Sequence, residues 1–239
     1  MKTANTATER EPNSGTTPGL EGKCRRIAYY GGSFDPLHSG HLAIGNALVP
    51  QFELDAFVFI PAFHAPHKSD RKPTSGIHRY AMLAIATNAD EKLSVSPMEL
   101  EMPERPFTVE TLERLNKLFP DTDIFFVMGA DSWQDICTWR DWETVLTMAN
   151  HIVITRPGFP VGFDHVTEAI RERIVDLRGS GETVSRQGPG RLNIYISDAV
   201  DLDMSASVIR KKIRENVAGW RDDVPVEVAK YIEKYELYK

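Results

Sequence analysis

Short apolar runs alternate along the chain with longer stretches in which apolar residues recur every three or four positions. The runs at 27–30 (IAYY), 56–60 (AFVFI), 93–96, 124–128 (IFFVM), 152–155 and 192–196 predict strands, rich in the β-branched and aromatic residues that a buried sheet favours. The helical period marks 41–49, stopped near Pro50, then 77–87, 109–118 ahead of Pro120, and 142–148. It marks further helices at 166–177, 205–216 and 226–237, with a glycine-rich polar loop at 178–191. Strands that alternate with helices in this way predict an α/β fold, a Rossmann-like parallel sheet flanked by helices on both faces. Ligands of such sheets sit beyond the carboxyl ends of the strands. Three polar segments lie at predicted carboxyl ends: 31–41, 61–68 and 129–131.

Composition narrows the class. A chain of 239 residues, 41% hydrophobic and 26% charged, can bury a sizeable core, and residues 24–239 read as a single domain. Residues 1–23 are rich in Thr, Gly, Pro, Asn and Glu and lack an apolar signal core, which predicts a disordered tail. Glu9, Glu11 and Glu21 have the wrong charge for a transit peptide. A formal charge of −6 argues against binding nucleic-acid polymers, and no apolar run approaches the ~18 residues needed to span a bilayer. Cys24 and Cys137 provide neither a metal spacing nor a disulfide framework, so the expected compartment is the cytoplasm.

The candidate chemistry starts at Gly31–Leu42, GGSFDPLHSGHL. A strand delivers Gly31 and Gly32, whose missing side chains let backbone N–H groups come close to an anion. Ser33 adds a hydroxyl, Phe34 and Asp35-Pro36 carry a turn, and His38 and His41 lie three apart across Gly40 where a helix begins. Two imidazoles beside a helix N-terminus form a phosphate cradle in which both can donate hydrogen bonds. A second cradle lies at 204–210, MSASVIR: Ser205 is placed as an N-cap, the N–H groups near Ser207 point outward, and Arg210 follows just over a turn later. His64 and His67 have no further ligand set nearby, which weighs against zinc. The cations His67, Lys68, Arg71 and Lys72 suit either a solvated loop or a phosphate.

The first string resembles the H-x-G-H signature of the nucleotidyltransferase superfamily, in the G-G-T-F-D-P-x-H-x-G-H-L form of bacterial nicotinate-nucleotide adenylyltransferases. Ser33 stands where that family has Thr. The second resembles the superfamily's I-S-x-T-x-I-R, with Met204 for Ile and Ser207 for Thr. Between them, 61–68 is similar to the P-x-x-x-P-P-H-K/R loop, with Ala65 for the first of the paired prolines. Residues 106–112 (PFTVETL), 128–132 (MGADS), Thr138-Trp139 and 155–158 (TRPG) match family segments in order, so the resemblance covers about 26–239.

That resemblance implies adenylyl transfer from ATP to nicotinate mononucleotide, giving deamido-NAD and pyrophosphate by direct in-line attack without a covalent intermediate. The nearest alternatives are a nicotinamide mononucleotide or dual-specific enzyme, and a non-catalytic nucleotide-binding protein. The substrate's 5′-phosphate is already ionised at neutral pH, so no general base is required and catalysis rests on positioning and charge stabilisation. The resemblance assigns His38, His41 and Arg210 to the triphosphate and leaving group. It gives Gly31, Gly32, Ser33, Phe34, Gly40, Gly129, Asp131, Ser205 and Ser207 to ATP, with Gly129 and Asp131 beside the sugar. His67, Lys68, Thr108, Trp139, Arg140 and Arg156 fall to the mononucleotide, Trp139 stacking on the pyridine ring. Arg140 stands where a Tyr is common, and a cation there would favour the acid over the amide. Mg²⁺ is expected to arrive with ATP, held by phosphates and water, with no resident protein metal site. A homo-oligomer is compatible with the sequence.

Overall fold

The computed structural model describes residues 25–63, 74–186, 191–200 and 204–239. The strands are β1 (Arg25–Gly32), β2 (Ala56–Pro61), β3 (Leu93–Val95), β4 (Thr122–Gly129), β5 (Asn150–Ile154), β6 (Ile174–Asp176) and β7 (Ile194–Ser197). They pair only in parallel, in the order β3-β2-β1-β4-β5-β7-β6. From β1 the chain steps outward to β2 and β3, then crosses back to lay β4 on the other flank of β1. The strand order therefore reverses between β1 and β4, and beyond their carboxyl ends such a sheet opens a crevice.

Helices α1 (Ser39–Gln51), α2 (Gly76–Thr87), α7 (Ala206–Arg214) and α8 (Val226–Lys234) cover one face. Their Leu48, Met82, Leu83, Ile209, Val228 and Ile232 pack with Ala28, Phe57, Phe59, Phe125, Val127 and Ile152 of the sheet. Helices α3 (Thr108–Leu118), α4 (Ala130–Gln134), α5 (Trp142–Met148) and α6 (Glu168–Arg171) lie on the other face. There Leu112, Leu115, Trp133, Leu146 and Ile170 meet Ile27, Tyr29, Ile124, Phe126 and Val153. Successive residues of β1 and β4 thus face opposite cores, which is why Ile27–Tyr30 and Ile124–Met128 are apolar without alternation.

The helix expected over 166–177 does not form. It shrinks to α6, and Ile174–Asp176 becomes the edge strand β6. Val166, Ile170 and Leu177 are buried at spacings that mimic a helical stripe, but the β-branched pair Ile174-Val175 gains more by pairing with Ile194 and Tyr195. The Arg173 guanidinium fastens the junction by donating to the Leu192 carbonyl at 2.7 Å. Pro50 lies inside the last turn of α1 rather than ending it. The polar segment after β6 is irregular yet fastened down: the Val184 N–H donates to the Gln51 carbonyl at 2.7 Å, and Arg186 reaches Asp55 at 2.6 Å. The expected tail at 1–23 lies outside the described residues. No described helix is long and apolar enough to cross a membrane.

Candidate active site

A cavity of about 690 Å³ opens at the crevice between the ends of β1 and β4. Gly31 and Gly32 end β1, and a Cβ on Gly32 would lie 2.9 Å from the Phe34 ring, so only glycine lets the turn close this tightly. Phe34 itself adopts a left-handed backbone (φ 46°), an uncommon conformation for a non-glycine residue. Its ring is buried edge-on to Tyr30, Phe59 and His41, an aromatic cage that holds the turn in this shape. Arg79 fixes the turn from behind. It is 1% exposed and donates to the carbonyls of Ser33 (2.7 Å), Ala62 (2.6 Å) and Thr74 (2.9 Å).

The turn then feeds α1. The His38 N–H donates to His41 Nδ1 at 3.2 Å, and the two rings stack with centroids 3.6 Å apart. Because His41 Nδ1 accepts a hydrogen bond, the neutral ring carries its proton on Nε2, which makes that nitrogen the donor. Burial, with the Arg156 charge adding to it, pulls the His38 pKa down to about 4, partly offset by Asp223. His38 is therefore neutral at pH 7 and donates from one nitrogen, where the sequence reading had let both imidazoles act alike. A Cβ on Gly40 would press to 3.1 Å from His38 Nδ1 and 3.4 Å from the sulfur of Met204.

The second cradle arrives from the far end of the chain. Ser205 occupies the N-cap position of α7, as expected, but its hydroxyl pairs with that of Ser207 at 2.7 Å instead of capping the helix. The leading N–H groups of α7 are thereby left for other acceptors. Arg210 Nη1 donates to the Asp35 carbonyl at 2.5 Å, which ties the two cradles together. Gly129 ends β4 beside Asp131, whose carboxylate oxygen would be 2.7 Å from a Cβ there. Burial and the Asp131 charge raise the pKa of the Tyr30 hydroxyl, against the lowering effect of Arg156. Arg156, expected at the mononucleotide, acts through its charge on His38 and Tyr30.

On the side of the second helical layer stand Thr108, which opens α3, and the half-buried Trp139. The Phe107 N–H donates to Glu110 at 2.9 Å and so starts α3. Arg140 lies over the Phe107 ring at 4.8 Å and pairs with Glu110 (3.4 Å) and Asp141 (3.6 Å), so its charge is largely answered within the wall. Glu99 forms the floor, accepting from the Thr111 hydroxyl at 2.8 Å, and burial raises its pKa. Tyr30, Glu99, Arg105 and Met204 also line the cavity, although the sequence had assigned them no role. Arg79 was legible in principle, as a charged residue on the apolar stripe of α2 beside Met82 and Leu83. Glu99 lies outside any regular element and carries no such signal.

The cavity brings together Gly31, Gly32, Ser33, Phe34, His38, Gly40, His41, Thr108, Gly129, Asp131, Trp139, Arg140, Arg156, Ser205, Ser207 and Arg210. His67 and Lys68, with His64, lie outside the described residues. Among the described residues no group of three or more His, Cys, Asp or Glu side chains is placed to hold a metal ion.

Comparison with known proteins points the same way. The model of the cytidylyltransferase-like family matches residues 29–212. The chain is 34% identical to the probable nicotinate-nucleotide adenylyltransferase of a Thermoanaerobacter species, over 90% of this chain and 94% of that one. It is 30% identical to the protein of the same name from Corynebacterium glutamicum, over 90% and 88%. Among solved structures, nicotinic acid mononucleotide adenylyltransferase of Plasmodium falciparum, complexed with NaAD, superposes with a TM-score of 0.66 at 21% identity, covering 90% of this chain and 97% of that one. The chain belongs to the cytidylyltransferase-like family and, within it, to the nicotinate-nucleotide adenylyltransferases.

Proposed function

We propose that this family member transfers the adenylyl group of ATP to nicotinate mononucleotide, releasing pyrophosphate and deamido-NAD. One observation carries the reading: a single cavity is lined by the His38–His41 and Ser205–Arg210 cradles from the α1 and α7 side and by Thr108 with Trp139 from the α3 side. A dinucleotide product needs both, an anion site where the new phosphate bridge forms and an aromatic wall for the base.

In the proposed reaction an oxygen of the mononucleotide's 5′-phosphate forms a bond to the α-phosphorus of ATP. The bond from that phosphorus to the bridging oxygen breaks in line, and its electron pair leaves with pyrophosphate. His41 Nε2–H, the neutral His38 ring and the Arg210 guanidinium stabilise charge as it moves onto the leaving group. With its pKa near 4, His38 acts as a fixed hydrogen-bonding dipole rather than as a proton donor at pH 7. The N–H groups that open α7 and the Gly31–Gly32 turn add backbone donors. Asp131 and Gly129 are assigned to the ATP sugar, and Trp139 and Thr108 to the pyridine ring and its carboxylate.

A Mg²⁺ ion fits this site only as a companion of ATP. The phosphate end is lined by imidazole N–H and guanidinium donors, which suit phosphate oxygens, and among the described residues no cluster of ligands there would hold a bare cation. Bound there, the ion would neutralise phosphate charge. The cysteine usage favours the cytoplasm as the working compartment.

Pyrophosphate release, measured with ATP and each mononucleotide side by side, tests the reading. The expected result is turnover with the nicotinate form at the higher kcat/KM. A higher value for the nicotinamide form would reassign the acceptor, and no release from either would remove the proposed activity.

A further inference from the structure

The phosphate-end turn has a brace that the proposed chemistry does not explain. Beyond α8 the chain turns back on itself through left-handed residues at Glu236 (φ 53°) and Tyr238 (φ 69°). The Leu237 N–H donates to the Ile232 carbonyl at 3.0 Å. This reversal carries the Tyr238 ring against the core and brings its hydroxyl to Asp35 Oδ1 at 2.8 Å. The other oxygen of Asp35 accepts the Thr74 N–H at 3.3 Å, and the side of the turn away from the cavity is held by Arg79. Asp35 follows Phe34 directly, and its carbonyl is the anchor of Arg210. One hydrogen bond from Tyr238 therefore reaches Arg210 through a single residue.

We infer that Tyr238 is a positioning residue for adenylyl transfer, its hydroxyl holding Asp35 so that the Asp35 carbonyl aims the Arg210 guanidinium at the phosphates. Arg210 has five donors, and anchoring one to a fixed carbonyl sets the direction of the others. Should the anchor drift, the guanidinium remains nearby but misdirected. A misplacement of about 1 Å in a positioning group can cost on the order of 100-fold in rate. Tyr238 is partly buried and is absent from the cavity lining, so its effect passes through the turn rather than through contact with a substrate.

The inference rests on the proposed adenylyl transfer, and the experiment separates the two. Tyr238→Phe keeps the ring and its packing and removes only the hydroxyl. In an enzyme whose wild type releases pyrophosphate, the variant is expected to lose roughly tenfold in kcat, with the mononucleotide KM within about twofold of wild type. Combined with Arg210→Gln, Tyr238→Phe should cause almost no further loss, because the residue it directs is gone. A kcat equal to wild type, or a full tenfold loss persisting in the Arg210→Gln background, would overturn the inference. A wild type that releases no pyrophosphate would instead defeat the functional reading itself.

Discussion

The two ends of the sheet use arginine in opposite ways. At the amino end, Arg26 donates to Asp123 at 3.2 Å and to the Val184 carbonyl at 2.8 Å, while Arg186 reaches Asp55 at 2.6 Å. Asn150 closes the group by donating to Asp123 and accepting from the Asn193 N–H. Cation and carboxylate answer each other there, and the cluster knits β1, β4, β5 and the polar segment near Val184 together. At the carboxyl end, the hydrogen bonds of Arg79 and Arg210 run to backbone carbonyls. A carbonyl fixes a guanidinium in direction without pairing it with an opposite full charge. One end ties charge to charge and the other ties charge to backbone, although both are made from the same residue type.

The largest effect should come from breaking the carboxyl end. Removing one preorganised donor typically costs about 3–4 kcal/mol in the transition state, so His41→Ala is expected to lose roughly 100- to 1000-fold in kcat while staying folded, with about 1 kcal/mol of stability lost with the cap of the His38 N–H. Pyrophosphate release beside a thermal melt checks both halves. If activity survived in the folded variant, His41 would lose its assigned role.

At the amino end the pattern should invert. Asp123→Ala leaves Arg26, whose side chain is 6% exposed, without its carboxylate. Stripping the partner from a buried charge costs about 3 kcal/mol, read by urea unfolding, while kcat stays within twofold. A variant as stable as wild type would show that the cluster adds nothing.

Protonation tests both ends at once. His38 at the carboxyl end and His151 near the amino end are buried, which lowers their pKa values to about 4 and about 3. The unfolded chain takes up protons below its own histidine value of about 6.5, and the folded chain resists them down to these lower values. Stability is therefore complete above about pH 6.5 and declines as the pH falls, by up to about 2 kcal/mol for each histidine by pH 5. Melts of wild type and His151→Gln between pH 7.5 and 5 should differ in slope, the variant being shallower. Parallel slopes would mean that His151 takes up its proton equally readily in both states.

Smaller changes sharpen the contrast. Gly40→Ala suits a helix, worth up to about 1 kcal/mol, yet its methyl group would displace His38. The expectation is about tenfold lower kcat without loss of stability, and equal activity would show that the His38 ring can shift freely. Arg140 already faces Glu110 and Asp141, so Arg140→Ala is expected to change the acid-to-amide ratio of kcat/KM by less than about threefold. A larger drop would restore the guanidinium as the reader of the acid.

Most of this architecture was legible because local and global preferences agree. The runs IAYY, AFVFI and IFFVM can only be buried strands, and each breaks at a glycine or proline where the cavity opens. The 166–177 stretch was misread because its buried positions satisfy two periods, and only the neighbouring β7 decides between them. At the site, the residue types were visible but their states were not. Whether His38 is charged depends on its burial and on Arg156, far away in sequence, and whether Arg140 offers a free charge depends on Glu110. Tyr238 and Glu99 escaped altogether, since their roles arise only from contacts made across the fold.

The central position of β1 also bears on how the protein assembles. Its pairing with β4 joins residues about a hundred positions apart, as the Arg26–Asp123 bond, 97 residues apart in sequence, illustrates. Loop-closure entropy has to be overcome before that pairing returns any contact energy, which makes parallel crossings of this span slow to form. The crevice lies on this seam, so the cavity does not exist until the two halves have met. During refolding, recovery of nucleotide binding should therefore lag behind the appearance of helical signal.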